Sequence, residues 1–473
     1  MNSELFDFSG LRLAELLRRR EVSSLELTKL FLERAVENWS LGAFVSLLEG
    51  AALREAKARD AELSRSHDVL APFHGVPMGV KDLDMVRMSF TRFGSRAFRY
   101  LFTPFDGPSA KKLREGGFVV IGKLATSELG AMPVTETDLH EPARNPWDLS
   151  RTSGGSSGGS ATAVAARLLP VAHASDGGGS IRIPAAFCGL FGMKPSRGRL
   201  VNPYAMTDAI GLSTIGPISR DVDDGVAVLD VLAYGSERGR PKRGLGFAEL
   251  ATRAPRKLRV RFTAKTSIGP TDPERARAIE RAAKLAEDLG HYVEEAPSLD
   301  GSLEEFLPLW KRQLSMVPIP FGDASLQPIT RWLREGGRAL SAESARAMAT
   351  NLSARAHDWF GDADIVLTPA VAVPPPVLGS FRGLDPAVAF ERAAIIGAFT
   401  AVYNLTGQPA ASVPFGMDAA GLPIGVQIAA PWGRDDHVLQ MAKQFEVAAP
   451  WHTSAPPAGG RRVGASVSPS SSP

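Results

Sequence analysis

Apolar positions near the start of the chain recur at helical spacing. Leu11, Leu13, Leu16 and Leu17 follow that period, and Ser23 with Glu26 resembles a capping box opening a second helix over 25–36. Farther along the period changes. Short apolar runs at 76–80 and 118–121 read as buried strands, the first ending on Lys81. The small-residue stretch 161–169 reads as a helix, and 169–172 as a short strand that enters a glycine-rich loop. Residues 258–262 alternate as a strand does. Residues 273–289 read as a helix with Arg275, Arg277, Glu280, Arg281 and Lys284 on its wet faces. Further short strands are expected at 365–367, 411–413 and 424–428. Strands alternating with helices predict an α/β fold with a largely covered sheet.

Composition narrows the function more than the fold. The 473 residues can bury a substantial core, and length alone would suggest about three domains. Hydrophobic residues at 44% and charged residues at 22% are ordinary for a soluble enzyme. The formal net charge is +3 and the basic residues are dispersed, so no nucleic-acid partner is expected. No run approaches ~18 uninterrupted apolar residues, so no membrane span is expected either. The opening MNSELFDFSGLRLAELL carries an early acidic residue and does not read as a secretory signal. One cysteine, Cys188, excludes an intrachain disulfide and makes a cytoplasmic protein the simple reading. Residues 454–473, rich in Ser, Pro, Gly and Ala, read as a disordered tail.

Candidate chemistry lies in two loops. Ser153-Gly154-Gly155-Ser156-Ser157-Gly158-Gly159-Ser160 would pass for a linker in isolation. It leads straight into an Ala/Val helix, however, and Asp176-Gly177-Gly178-Gly179-Ser180 follows soon after. Paired glycine turns of this kind let backbone N–H groups approach a ligand closely and form an anion-binding concavity. Gly117 to Lys123 has Walker A spacing, but Leu124 stands where Ser or Thr would hold magnesium, so it reads as a buried strand. A nucleophile elbow needs a strand leading into the serine and a later histidine. Loop residues precede Ser156, and no histidine after Ser157 has a catalytic context; His173 reads as a satisfied core residue. A third reading uses Lys81 as the base, which requires burial or nearby positive charge to lower its pKa from ~10.4.

These segments together resemble the amidase signature family. The block from RTSGGSSGGS through SDGGGSIRIPAAFCGLFG carries the likeness, with GVPMGVKDLDMV, ARNPWDLS, IVLTPA and NLTGQPAASVPFG beside it. The likeness runs from about residue 10 to about residue 452, which favours one large domain over 1–453 with a variable, substrate-shaping region at about 235–362. It implies a mixed β-sheet core covered by helices on both sides. It implies Ser180 as the acylated nucleophile, Ser156 as a bridging serine after a cis peptide bond, and Lys81 as the base. It also implies an oxyanion hole formed by the N–H groups of Gly177, Gly178, Gly179 and Ser180. No cofactor or metal is required; the expected partner is a small-molecule amide, with a homodimer left open. Leu124 and Ala125 depart from the Thr-Asn that many members carry, which puts the polarity of the substrate pocket in doubt. Asp176, Arg182, Asn404, Gln408 and Gln427 read as structural. The chain looks most similar to bacterial stand-alone amidases, including the cyclic nylon-dimer hydrolases. Alternatives are a carbamate or ester hydrolase with the same triad, and the glutaminase subunit of a tRNA-dependent amidotransferase. That subunit's arginine-containing segment has a poor counterpart at 331–338.

Overall fold

The apolar runs become strands of one large sheet. The computed structural model describes residues 4–65, 70–235, 246–253, 256–298, 301–320, 322–451 and 454–457. The sheet strands are β1 (Phe44–Leu47), β2 (Pro77–Lys81), β3 (Val119–Leu124), β4 (Val171–Asp176), β5 (Phe191–Lys194) and β6 (Thr214–Ser219). They continue with β7 (Arg259–Phe262), β8 (Tyr292–Glu295), β9 (Ile365–Pro369), β10 (Ala410–Met417) and β11 (Pro423–Ala429). Their order across the sheet is β1-β3-β2-β4-β6-β5-β10-β11-β9-β7-β8. Every residue of β2, β3, β4, β5, β6, β9 and β11 is buried, so these strands read as continuous rather than alternating.

The sheet is mixed. β2 runs parallel to both β3 and β4, while β4, β6, β5, β10, β11 and β9 pair antiparallel in turn. Parallel pairing brings the carboxyl ends of β2 and β4, at Lys81 and Asp176, to one edge of the sheet. Helices cover both faces. A Cβ on Gly192 of β5 would lie 2.7 Å from Ala185 in the helix Arg182–Cys188, whereas its neighbour Phe191 packs against Gly225 of the helix Val222–Tyr234. Adjacent strand residues point to opposite faces, so these two helices flank the sheet from opposite sides. No helix among the described residues is long and apolar enough to cross a membrane.

Several expectations shift by a few residues. The helix expected at 161–169 is Gly158–Ala165, and the strand expected at 169–172 is β4, extending through His173, Ser175 and Asp176. β4 pairs with β6 along its whole length, from Val171 opposite Ser219 to Asp176 opposite Thr214, which carries polar residues into the core. Ser23 Oγ accepts the Glu26 N–H at 3.1 Å, but the fully reciprocal capping box is Ser302 with Glu305, opening Leu303–Ser315. Arg275, expected on a wet face, is buried; its Nη1 donates to Asp272 at 3.0 Å and its Nη2 lies 3.5 Å from Asp418. The tail expected at 454–473 falls outside the described residues except for 454–457.

Candidate active site

Lys81 closes β2 and is wholly buried. Its Nζ donates to Ser156 Oγ at 2.8 Å, Ser175 Oγ at 3.0 Å and Ser175 O at 3.3 Å. Burial disfavours the ammonium and brings its pKa down to about 7, against the opposing pull of Asp176 and Asp84. The contact with Ser156 suits either proton position, since a neutral amine has a lone pair that accepts the serine hydroxyl.

Ser156 sits where the first Gly/Ser loop turns into a helix. The Gly155–Ser156 peptide bond is cis. Thr135 Oγ1 donates to Ser156 O at 3.2 Å and receives the Gly158 N–H at 3.0 Å, fixing the turn on both sides. The second loop touches the first directly. Ser157 N donates to Ser180 O at 3.3 Å, and Ser157 Oγ donates to Ser175 O at 3.1 Å. Ser180 is 8% exposed, and its hydroxyl makes no hydrogen bond among the described residues. It opens onto a cavity of about 360 Å³ that Ser156 also lines, and onto a second of about 150 Å³. No histidine among the described residues bonds either serine. His173, expected to be satisfied, is buried with neither ring nitrogen hydrogen-bonded among the described residues; Nε2 lies 3.9 Å from Asp84.

A buried clamp shapes the loop between β4 and the helix that follows. Asp176 accepts N–H groups from Gly179 at 2.6 Å and Ile181 at 3.2 Å, and receives Arg182 Nε at 2.9 Å and Nη2 at 3.0 Å. Burial alone would raise this carboxyl, but the Arg182 guanidinium and the Asn404 amide hold it well below the usual carboxylate range. Arg182 also reaches Asn404 Oδ1 at 2.6 Å, Gln427 Oε1 at 2.8 Å and Thr400 O at 2.9 Å. Gly179 must be glycine: its φ is +126°, and a Cβ there would stand 2.2 Å from Thr400 Oγ1. Thr400 Oγ1 donates to Gly178 O at 2.7 Å, which orients the adjoining peptides. Of the four N–H groups expected to line an oxyanion hole, that of Gly179 is committed to Asp176. Those of Gly177, Gly178 and Ser180 have no partner among the described residues.

Sequence reasoning leaves several participants unassigned. Ser175, whose Oγ and carbonyl oxygen both accept from Lys81 Nζ, is given no role by the sequence. Asn404 and Gln427 are fold-shaping residues on the sequence alone, and their bonds to Arg182 tie them to the loop. Lys123, excluded as a nucleotide ligand, is buried beneath the site with Nζ 2.9 Å from Asp82 Oδ1 and 2.6 Å from Asp84 O. Phe306, Trp310, Leu352 and Arg355 line the cavities from helices Leu303–Ser315 and Ala342–Phe360. Their aromatic and helical character is visible in the sequence, but nothing there places them opposite Ser180.

Residues 26–439 match the Amidase family; the chain belongs to the amidase signature family and is an enzyme acting on amide carbon–nitrogen bonds. It is 34% identical to the 6-aminohexanoate-cyclic-dimer hydrolase of a Pseudomonas species, over 93% of this chain and 94% of that one. It is 33% identical to a glutamyl-tRNA(Gln) amidotransferase subunit of Thermus thermophilus, over 93% of this chain and 97% of that one. A solved structure of 6-aminohexanoate cyclic dimer hydrolase complexed with substrate matches with a TM-score of 0.86 at 29% identity, covering 96% of this chain and 99% of the other. The likeness to cyclic nylon-dimer hydrolases read from the sequence is thus borne out.

Proposed function

We propose that the chain hydrolyses a neutral amide through an acyl-enzyme on Ser180, with Ser156 as the bridging group and Lys81 as the base. The observation that carries this is the wholly buried Lys81 Nζ, 2.8 Å from Ser156 Oγ, beside a cavity that Ser156 and Ser180 both line. Neutral Lys81 takes the Ser156 proton while Ser156 takes the Ser180 proton. Ser180 Oγ then bonds to the carbonyl carbon. The oxygen that gains charge meets the N–H groups of Gly177, Gly178 and Ser180, each such donor worth roughly 2.7–4 kcal/mol in the transition state. The proton held by Lys81 returns through Ser156 to the nitrogen, the C–N bond breaks and the amine leaves. Water then repeats the sequence on the ester, releasing the acid and restoring Ser180. The same proposal has residues 1–453 acting as one catalytic unit in the cytoplasm, with no other protein required.

Similarity to an amidotransferase subunit gives the glutaminase alternative some weight. Against it stands the character of the cavities. Among the described residues lining them, Arg355 is the only Arg or Lys, and its Nη2 already donates to both carboxylate oxygens of Glu305 at 2.7 Å. Ser180→Ala tests the nucleophile. It should abolish amide turnover and labelling by a fluorophosphonate while thermal unfolding stays cooperative near the wild-type midpoint. Mass-spectrometric detection of the phosphonate on another serine would overturn the assignment.

A further inference from the structure

Two adjoining cavities meet beside Ser180, and Trp310 lines both. The smaller, about 150 Å³, is walled by Met132, Ile183, Phe306, Leu352, Trp359 and Phe390. The larger, about 360 Å³, is walled by Leu83, Met85, Phe93, Phe98, Leu314 and Val317. They share Gly130, Ser180 and Trp310. Trp310 Nε1 donates to Ala131 O at 3.1 Å, its ring stacks on Phe306 with centroids 6.0 Å apart, and its far edge comes within 3.4 Å of the Cβ position on Gly177. The indole therefore reaches from the loop at Ala131 to the glycine loop at Gly177, alongside Ser180.

Resting on the Ser180 reading above, we infer that Trp310 divides the cleft into an amine chamber and an acyl chamber. The substrate is then an N-substituted amide of a ring-sized acid with a larger apolar amine. Proton delivery decides which chamber is which. When the C–N bond breaks, the nitrogen takes its proton from Ser156 Oγ, and Ser156 lines the larger chamber and not the smaller. The amine substituent occupies the larger chamber. The acyl substituent, on the other side of the carbon bonded to Ser180 Oγ, occupies the smaller. The carbonyl oxygen lies at the divide, where Gly177 faces one chamber and Gly178 the other. The smaller cavity, about 150 Å³, has room for a benzene-sized acyl group.

Two isomeric amides test this, because they differ only in which side carries the larger ring: N-naphthylbenzamide and N-phenylnaphthamide. The wild type should favour N-naphthylbenzamide in kcat/KM by about tenfold or more, since forcing the second ring into a filled apolar pocket is costly. Trp310→Ala, which joins the chambers, should bring that ratio to within about threefold of unity. Leu352→Ala enlarges the smaller chamber without touching the tryptophan; it should shift the ratio of the two isomers toward N-phenylnaphthamide, so the inference stays testable if the tryptophan variant folds poorly. An equal or reversed ratio in the wild type, with cleavage still lost in Ser180→Ala, would overturn the chamber assignment alone. A ratio that neither variant moves would overturn it too. Cleavage that survives Ser180→Ala would remove the nucleophile reading and this inference with it.

Discussion

Lys81 is a cation in a place that does not favour one. Its side chain has no solvent access, and burial brings its pKa from 10.5 to about 7. As the proposed base it must be neutral, so the amide rate should rise with pH through about 7 and then level off. Lys81→Ala should lower amide turnover by roughly 10²–10⁴-fold. An activated ester, whose leaving group needs little protonation, should suffer less. Lys81→Arg should not rescue, because guanidinium stays protonated. A pH profile for Lys81→Ala on amides that overlays the wild type would exclude the lysine. The same group links pH to stability. Between about 7 and 10.5 the unfolded chain holds a proton here that the folded chain has released. Stability attributable to Lys81 therefore rises with pH across that window, and the cost of burying the ammonium is complete below it. Lys81→Met removes the titrating group. Urea midpoints should move in the variant's favour as pH falls through the window and hold that difference below it.

The loop from Asp176 to Arg182 is the element that gives the serine its surroundings, and its three glycines are not equivalent. At Gly179 a Cβ would meet Thr400 Oγ1 at 2.2 Å in a left-handed backbone, whereas at Gly178 the nearest atom is Phe306 Cζ at 3.9 Å. Gly178→Ala should fold as the wild type does and keep measurable activity. Gly179→Ala should cost about 2 kcal/mol or more in stability and about 100-fold or more in kcat, because relief of the clash moves the N–H groups around Ser180. Paired denaturation and kinetic measurements check this; equal effects at both positions would mean the loop is looser than its clamp implies. In the sequence the run is three identical letters, and the signal that separates them, Thr400, lies more than two hundred residues away. The same distance problem hides the true extent of β4. Its last residues, His173, Ser175 and Asp176, break any apolar pattern because two of them serve the site and all pair with β6. The helix at Gly158–Ala165 begins on glycines for a packing reason: a Cβ on Gly159 would stand 2.3 Å from Ala125 N. Propensity, which disfavours glycine in helices, places its start three residues too late.

At the scale of the whole molecule the cleft is assembled from residues that no local pattern connects. Lys81, Ser156 and Ser180 are picked out in the sequence by their likeness to the family's motifs, and the fold brings Lys81 Nζ within 2.8 Å of Ser156 Oγ. The walls are not picked out. Trp310 and Leu352 belong to amphipathic helices whose buried faces look like any core, and only the folded chain brings them opposite Ser180. Those walls bear on whether the chain works alone or as the glutaminase of a larger assembly. Glutamine would bring an α-carboxylate into chambers whose described lining residues include no Arg or Lys but Arg355. Charges desolvated without partners are costly, and the lining Arg355 is already bound to Glu305. A neutral anilide meets no such penalty. The isolated chain should therefore release aniline from a benzanilide with no partner present. Its kcat/KM for ammonia release from glutamine should be lower by about 100-fold or more, the discrimination expected when charged groups are left unpaired. Release of ammonia from glutamine only after tRNA and the other components of an amidotransferase are added, with anilides untouched throughout, would reverse the argument and make this chain the glutaminase of such an assembly.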